Sequence, residues 1–191
     1  MQRLFIAIDI PPNIATSLNV LCRGIRGAKW VNADQFHLTL CFIGKTNISL
    51  QKEIELALSQ VALPAINIRL KGIGYFPPRG PIKVLWAALD PDPLIHTLHK
   101  KLVACLTALS IDFEKRKFVP HVTLARFRKP PSTLHLTDFL TSHSLFTSEN
   151  FTVSQFHLYS SHLRQKGAIH IKEASYILRT SQTTASDPES Y

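Results

Sequence analysis

Cysteine is scarce and unpatterned in this chain. Its 191 residues include only Cys22, Cys41 and Cys105, with no C-x-x-C pair. An odd, unpaired set argues against a disulfide framework and against a thiolate metal site. All three lie in apolar stretches, where cysteine behaves as a small core residue, so the reducing cytoplasm is the expected compartment. Long apolar runs are missing too. No stretch reaches the ~18 residues of a membrane-spanning helix. The opening Met1–Asp9 has one basic residue and a short apolar run, but no small-residue cleavage site. Asp9 and Pro11-Pro12 interrupt it, so it reads as a first strand and not as a secretory signal. Acidic residues are in short supply: 13 against 22 Lys and Arg, a net charge of +9. That balance favours phosphate, RNA or DNA over acidic partners.

What remains is ordinary globular material, 45% apolar and 18% charged, enough for one domain or two small packed lobes. Residues 4–10 predict a strand. Pro11-Pro12-Asn13 opens a helix, with proline in its favoured early position. Ile14, Leu18, Leu21 and Ile25 form its apolar stripe, and Gly27 closes it. Residues 37–43 predict a second strand, Ile54, Leu58 and Val61 a second helix, and residues 65–70 an alternating strand. The order then recurs. Residues 84–90 predict a strand ahead of Pro91-Asp92-Pro93. Ile95, Leu98, Leu102, Cys105 and Leu109 mark a helix, and residues 121–127 the next strand. A short helix over 132–142 and strands over 151–159 and 168–178 complete the pattern. Gly72 to Pro81, rich in turn formers, reads as a linker or rim loop. Residues 179–191 read as a disordered tail.

Two anchors fall at matching places. Asp9 and Asp90 each end a strand before proline, 81 residues apart. His37 begins H-L-T-L and His121 begins H-V-T-L, 84 residues apart. Such an offset suits a diverged duplication with repeats of roughly 1–80 and 81–178. The predicted class is α+β: two pseudo-symmetric lobes, each an antiparallel sheet with flanking helices, and a cleft between them.

The paired motifs carry the chemistry. In a strand, residues i and i+2 share a face, so His37 sits with Thr39 and His121 with Thr123. Leucine and valine lie behind them. A cleft holding two imidazoles and two hydroxyls suits a phosphoester. A neutral imidazole takes a proton from water or a ribose hydroxyl, and an imidazolium protonates the departing oxygen. Threonine hydroxyls donate to non-bridging phosphate oxygens. Arg126 and Arg128 add charge-assisted bonds if they reach. Strict alternation places Arg126 on the face opposite His121, so its contact needs a bulge, a twist or a long reach. Zinc wants three or four ligands, and neither H-x-H nor H-E-x-x-H occurs at the motifs. His96 and His99 fall beside a helical apolar stripe with no nearby carboxylate. His135, His143, His157, His162 and His170 show no partner pattern. Three basic groups, at 23–29, 115–117 and 164–172, are candidates for following an RNA backbone. Phe42, Tyr75, Phe76 and Phe127 are candidates for stacking on a base.

At these residues the chain resembles the two-histidine phosphoesterase family, in its RNA 2′,3′-cyclic phosphodiesterase (2′-5′ RNA ligase) branch. The likeness extends over RLFIAIDIPP, Trp30 ahead of FHLTLCFIG, GIGYFPP with VLWAALD, FVPHVTLARF and FTVSQFHLYSSHL, about residues 1–178. It departs after Trp30, where proline is usual and Val31-Asn32-Ala33-Asp34 stands instead. The resemblance implies a bilobal α+β fold and opening of a 2′,3′-cyclic phosphate at an RNA end to a 2′-phosphate. It makes His37 the proton donor and His121 the proton acceptor, with Thr39, Thr123 and Arg126 holding substrate. No metal or other cofactor is implied, and a monomer without membrane association is expected. Joining or cleaving 2′-5′ linkages is the same chemistry in reverse or on a related ester. Two alternatives stay open: a non-catalytic RNA-end binding protein, and a phosphodiesterase for a small cyclic-phosphate metabolite.

Overall fold

The computed structural model describes residues 2–113, 117–164 and 167–179. Along the chain lie β1 (Gln2–Asp9), α1 (Pro12–Leu21), β2 (Ala28–Trp30), β3 (His37–Thr46), α2 (Ile48–Ser59), β4 (Ile66–Ile68) and β5 (Leu70–Phe76). Then come β6 (Val84–Leu89), α3 (Pro93–Ala108), β7 (His121–Phe127), α4 (Thr133–Ser142), β8 (Phe151–Val153), β9 (Gln155–Arg164) and β10 (Gly167–Ile177). Local chemistry explains several ends. Pro12 starts α1 where no N–H is needed. Asp92 caps α3 by accepting from the backbone N–H groups of Leu94 and Ile95. Asn47 caps α2 by accepting from that of Leu50.

One antiparallel sheet runs in the order β10-β9-β1-β3-β7-β6-β5, with β2 also pairing β7. Its two halves meet at the partner pair Leu38↔Val122, between β3 and β7. A separate ribbon joins β4 to β8 through Ile66↔Val153, Asn67↔Thr152 and Ile68↔Phe151. The halves of the chain exchange strands. β5 pairs with β6, while β9 pairs back with β1. The predicted α+β class with antiparallel sheets and flanking helices is present, and the lobes share a continuous sheet. The core lies behind the sheet. Leu38, Leu40, Val122 and Leu124 are buried with Ile54 and Leu58 of α2 and Ile95, Leu98, Leu102 and Leu106 of α3. Each such side chain contributes about 1.5–3 kcal/mol of transfer free energy. In α3, Leu106 takes the buried place that the stripe assigned to Cys105. Burial raises all three thiols, and none is paired.

Several expectations change: α1 stops at Leu21, short of Ile25 and Gly27, and residues 151–159 divide between β8 and β9. The segment 72–81 is not all loop, because Gly72–Phe76 belongs to β5. Gly74 pairs with Trp86 and lets the indole lie on the backbone, a contact that glycine signals in the sequence disguise as a turn. Phe127 is 7% exposed and packs in the core, so it offers no stacking face. The expected tail lies outside the described residues from position 180 onward, as do Lys115, Arg116 and Lys166.

Candidate active site

The register Leu38↔Val122 builds the site. Continued one residue each way, that register would set His37 opposite Thr123 and Thr39 opposite His121, and all four side chains line one cleft. Facing residues have Cβ atoms about 4.5–5.5 Å apart, and diagonal neighbours stand about 7–8 Å apart. The histidines therefore occupy one diagonal and the threonines the other. That spacing admits a phosphate between the two imidazoles.

Both rings are tied in the same way. His37 Nδ1 donates to the Gln35 carbonyl at 2.8 Å, and His121 Nδ1 donates to the Val119 carbonyl at 2.7 Å. A carbonyl only accepts, so Nδ1 carries the proton in each ring and Nε2 is left for chemistry. Residues 35 and 119 are again 84 apart. Ring contacts hold the planes: Phe5 and His170 against His37, with centroids at 5.2 and 5.3 Å. Phe76 and Trp86 lie against His121 at 5.2 and 5.8 Å.

Arg126 reaches the cleft through a bulge. Trp86 pairs with Thr123 and Leu85 with Ala125, so Leu124 is the extra residue. Leu124 and Ala125 are both buried, alternation changes phase, and Arg126 emerges on the face of His121. β3 does the same. Ala7 pairs with Thr39 and Ile6 with Cys41, so Leu40 is the extra residue and Phe42 takes the matching outward place. The two bulges, 84 residues apart, put a guanidinium on one side and a phenyl on the other.

His37, Thr39, Phe42, Phe76, His99, Lys117, Phe118, His121, Thr123 and Arg126 line one cleft of about 630 Å³. No Asp or Glu among the described residues lines it. His121 faces Ala88 across the sheet, whereas His37 faces Asp9. Asp9 is held by Tyr159 and by Lys172 at 2.6 Å. Asp9, His37, Tyr159 and His170 share a second hollow of about 560 Å³. Arg128 is exposed outside the cleft wall, and Tyr75 does not line it.

Burial pushes His37 down to about 4, helped by His170 and Arg126, against the opposing pull of the Gln35 carbonyl and Asp9. Burial and Arg126 lower His121 as well. Both shifts favour the neutral form of the rings. Arrival of an anion reverses part of this, since a negative charge between the rings favours their charged forms.

Sequence reading set His170 and His99 aside, placed Lys117 only within a basic group and did not single out Phe118. Period-two alternation shows which face a strand residue takes, but not which strand lies beside it. His170 meets His37 only through the pairing of β10 with β9 and of β9 with β1. No group of three or more His, Cys, Asp or Glu side chains among the described residues could hold a metal ion. No helix among them is long and apolar enough to cross a membrane.

With this geometry in view, the kinship is specific. An RNA 2′,3′-cyclic phosphodiesterase of Methanocaldococcus jannaschii is 32% identical over 177 residues, covering 90% of this chain and 99% of that protein. One of Thermotoga maritima is 30% identical over 176 residues, covering 88% and 91%. The crystal structure of TT0787 of Thermus thermophilus superposes with a TM-score of 0.76 at 29% identity, covering 94% of this chain and 99% of that one. The family model of the 2′-5′ RNA ligase superfamily matches residues 11–165, and the chain belongs to that superfamily.

Proposed function

We propose that this chain is an RNA 2′,3′-cyclic phosphodiesterase that opens a terminal cyclic phosphate to a 2′-phosphate. The observation that carries the proposal is the pair of matched imidazoles, each tied at Nδ1, lining one cleft that no described carboxylate lines. The names of the relatives support the same substrate. The phosphate sits between the rings. Thr39 and Thr123 donate hydrogen bonds to its non-bridging oxygens, and Arg126 offsets the charge that builds on them. His121 Nε2 takes a proton from the attacking water. His37 Nε2–H protonates the departing 3′ oxygen. The 2′ ester bond is untouched, which leaves a 2′-phosphate. Acid, base and charge stabilisation all come from side chains, so the reaction needs no metal. With a 5′-hydroxyl in place of the attacking water, the same steps join a 2′-5′ linkage and release the 3′ oxygen. The same reading takes residues 1–178 as one bilobal unit of two repeats, acting as a cytoplasmic monomer.

The test is hydrolysis of an oligoribonucleotide ending in a 2′,3′-cyclic phosphate, with EDTA present. The expected product is the 2′-phosphate. A 3′-phosphate would reverse the assignment of the departing oxygen. Binding without turnover would leave only an RNA-end binder, and silencing by EDTA would end the metal-free mechanism.

The pH profile follows from the two lowered imidazoles. One must be neutral and one charged, and kcat/KM reports the free enzyme. Its bell is expected to lie on the acid side of the ~6.5 of an ordinary histidine and to decline as pH rises through neutrality. The kcat bell reports the complex and is expected at higher pH, because the bound anion raises the acid. Coincident bells centred above pH 7 would contradict the burial argument.

A further inference from the structure

The phosphate site is nearly symmetric about Leu38 and Val122, but the cleft wall is not. Phe118 and His99 lie face to face on the His121 side, with centroids 4.0 Å apart and planes within 4°. His96 meets Phe118 edge-on at 5.5 Å. His99 and Phe118 both line the 630 Å³ cleft beside Lys117. The residue 84 positions before Phe118 is Asp34, which lines the other hollow. The stacked pair therefore marks one flank of the cleft only. Phe118 stands three residues before His121, so its Cα lies within about 10 Å of that of His121 along an extended chain. It lines the same cleft as His121.

We propose that the His99–Phe118 stack is a subsite for the base of the nucleotide preceding the cyclic-phosphate end, with Lys117 beside the phosphate that links the two. This inference rests on the proposed RNA activity and names its substrate as an oligonucleotide. A base has two π faces and stacks on such a platform whatever its sequence. Burial, reinforced by the neighbouring His96, lowers His99, which favours the neutral aromatic ring seen stacked on Phe118. Lys117 is exposed and has no acidic partner among the described residues.

The experiment compares kcat/KM for a dinucleotide ending in a 2′,3′-cyclic phosphate with that for the mononucleotide cyclic phosphate. Stacking of about 1–3 kcal/mol per base corresponds to about a 5- to 150-fold preference for the dinucleotide. His99→Ala and Phe118→Leu are each expected to pull that ratio toward one, and His99→Phe to restore it. A wild-type ratio near one, or variants that leave the ratio unchanged, would overturn the subsite. Equal losses on both substrates would also overturn it, by assigning the rings to the terminal base or to structure. No hydrolysis of either substrate would instead overturn the activity itself.

Discussion

Alanine at His121 or His37 is expected to lower turnover of an RNA cyclic phosphate by about 10²- to 10⁴-fold each, the usual contribution of one general acid or base. The double variant is expected to lose far less than the product of the two, because groups that act in one step do not add. Neither ring is a core element: each is partly exposed and spends one hydrogen bond on a backbone carbonyl. Both variants should therefore fold, with melting temperatures close to the parent. The roles can then be separated with a diester whose departing group is already a stable anion, such as a nitrophenolate. Such a group needs no proton. His37→Ala should regain most of its activity on it, while His121→Ala, which still lacks a base for water, should not. If both variants kept full activity on RNA, acid–base catalysis by this pair would be excluded. If His121→Ala were the one rescued, the two roles would be exchanged.

Gly74→Ala is expected to be costly although Gly74 does not itself line the cleft. A Cβ there would stand 2.3–2.8 Å from three carbons of the Trp86 ring. The indole cannot yield freely, since it packs on Phe76 at 5.0 Å and His121 at 5.8 Å. Overpacking of this kind costs about 1–3 kcal/mol, roughly 2–12 °C in melting temperature for a chain of this size. Displacement of Trp86 also moves the wall that holds the His121 ring, so kcat should fall beyond what lost stability explains. Thermal melts and kcat on the same preparation check both parts. An alanine variant with unchanged melting temperature would show that the ring slides aside at no cost. Unchanged kcat alongside a lowered melting temperature would show that Trp86 does not position His121.

The Gly74 contact also shows where sequence reading stops. In the sequence, Gly72 to Pro81 has every mark of a loop. In the fold, its first half is a strand whose glycine makes room for an indole twelve residues later. Arg126 is a second case. Alternation puts it behind the sheet, and an extra residue at Leu124 brings it round to the cleft. The same shift at Leu40 turns Phe42 outward. A bulge adds no special residue type at these positions, leucine in both, and exists only relative to a partner strand.

By contrast, the amino-acid order alone determined the strands at 37 and 121, the shared face of each histidine with its threonine, the apolar surface behind them and the proline-led helix starts. These are properties of one strand or one helix, set by a repeat of two or 3.6 residues and by chain chemistry a few residues long. Tertiary structure decided the diagonal of the two imidazoles, the reach of Arg126, the approach of His170 to His37 and the stacking of His99 on Phe118. Each of these joins residues from different elements, and their separation is fixed only when strand register and helix packing are fixed together.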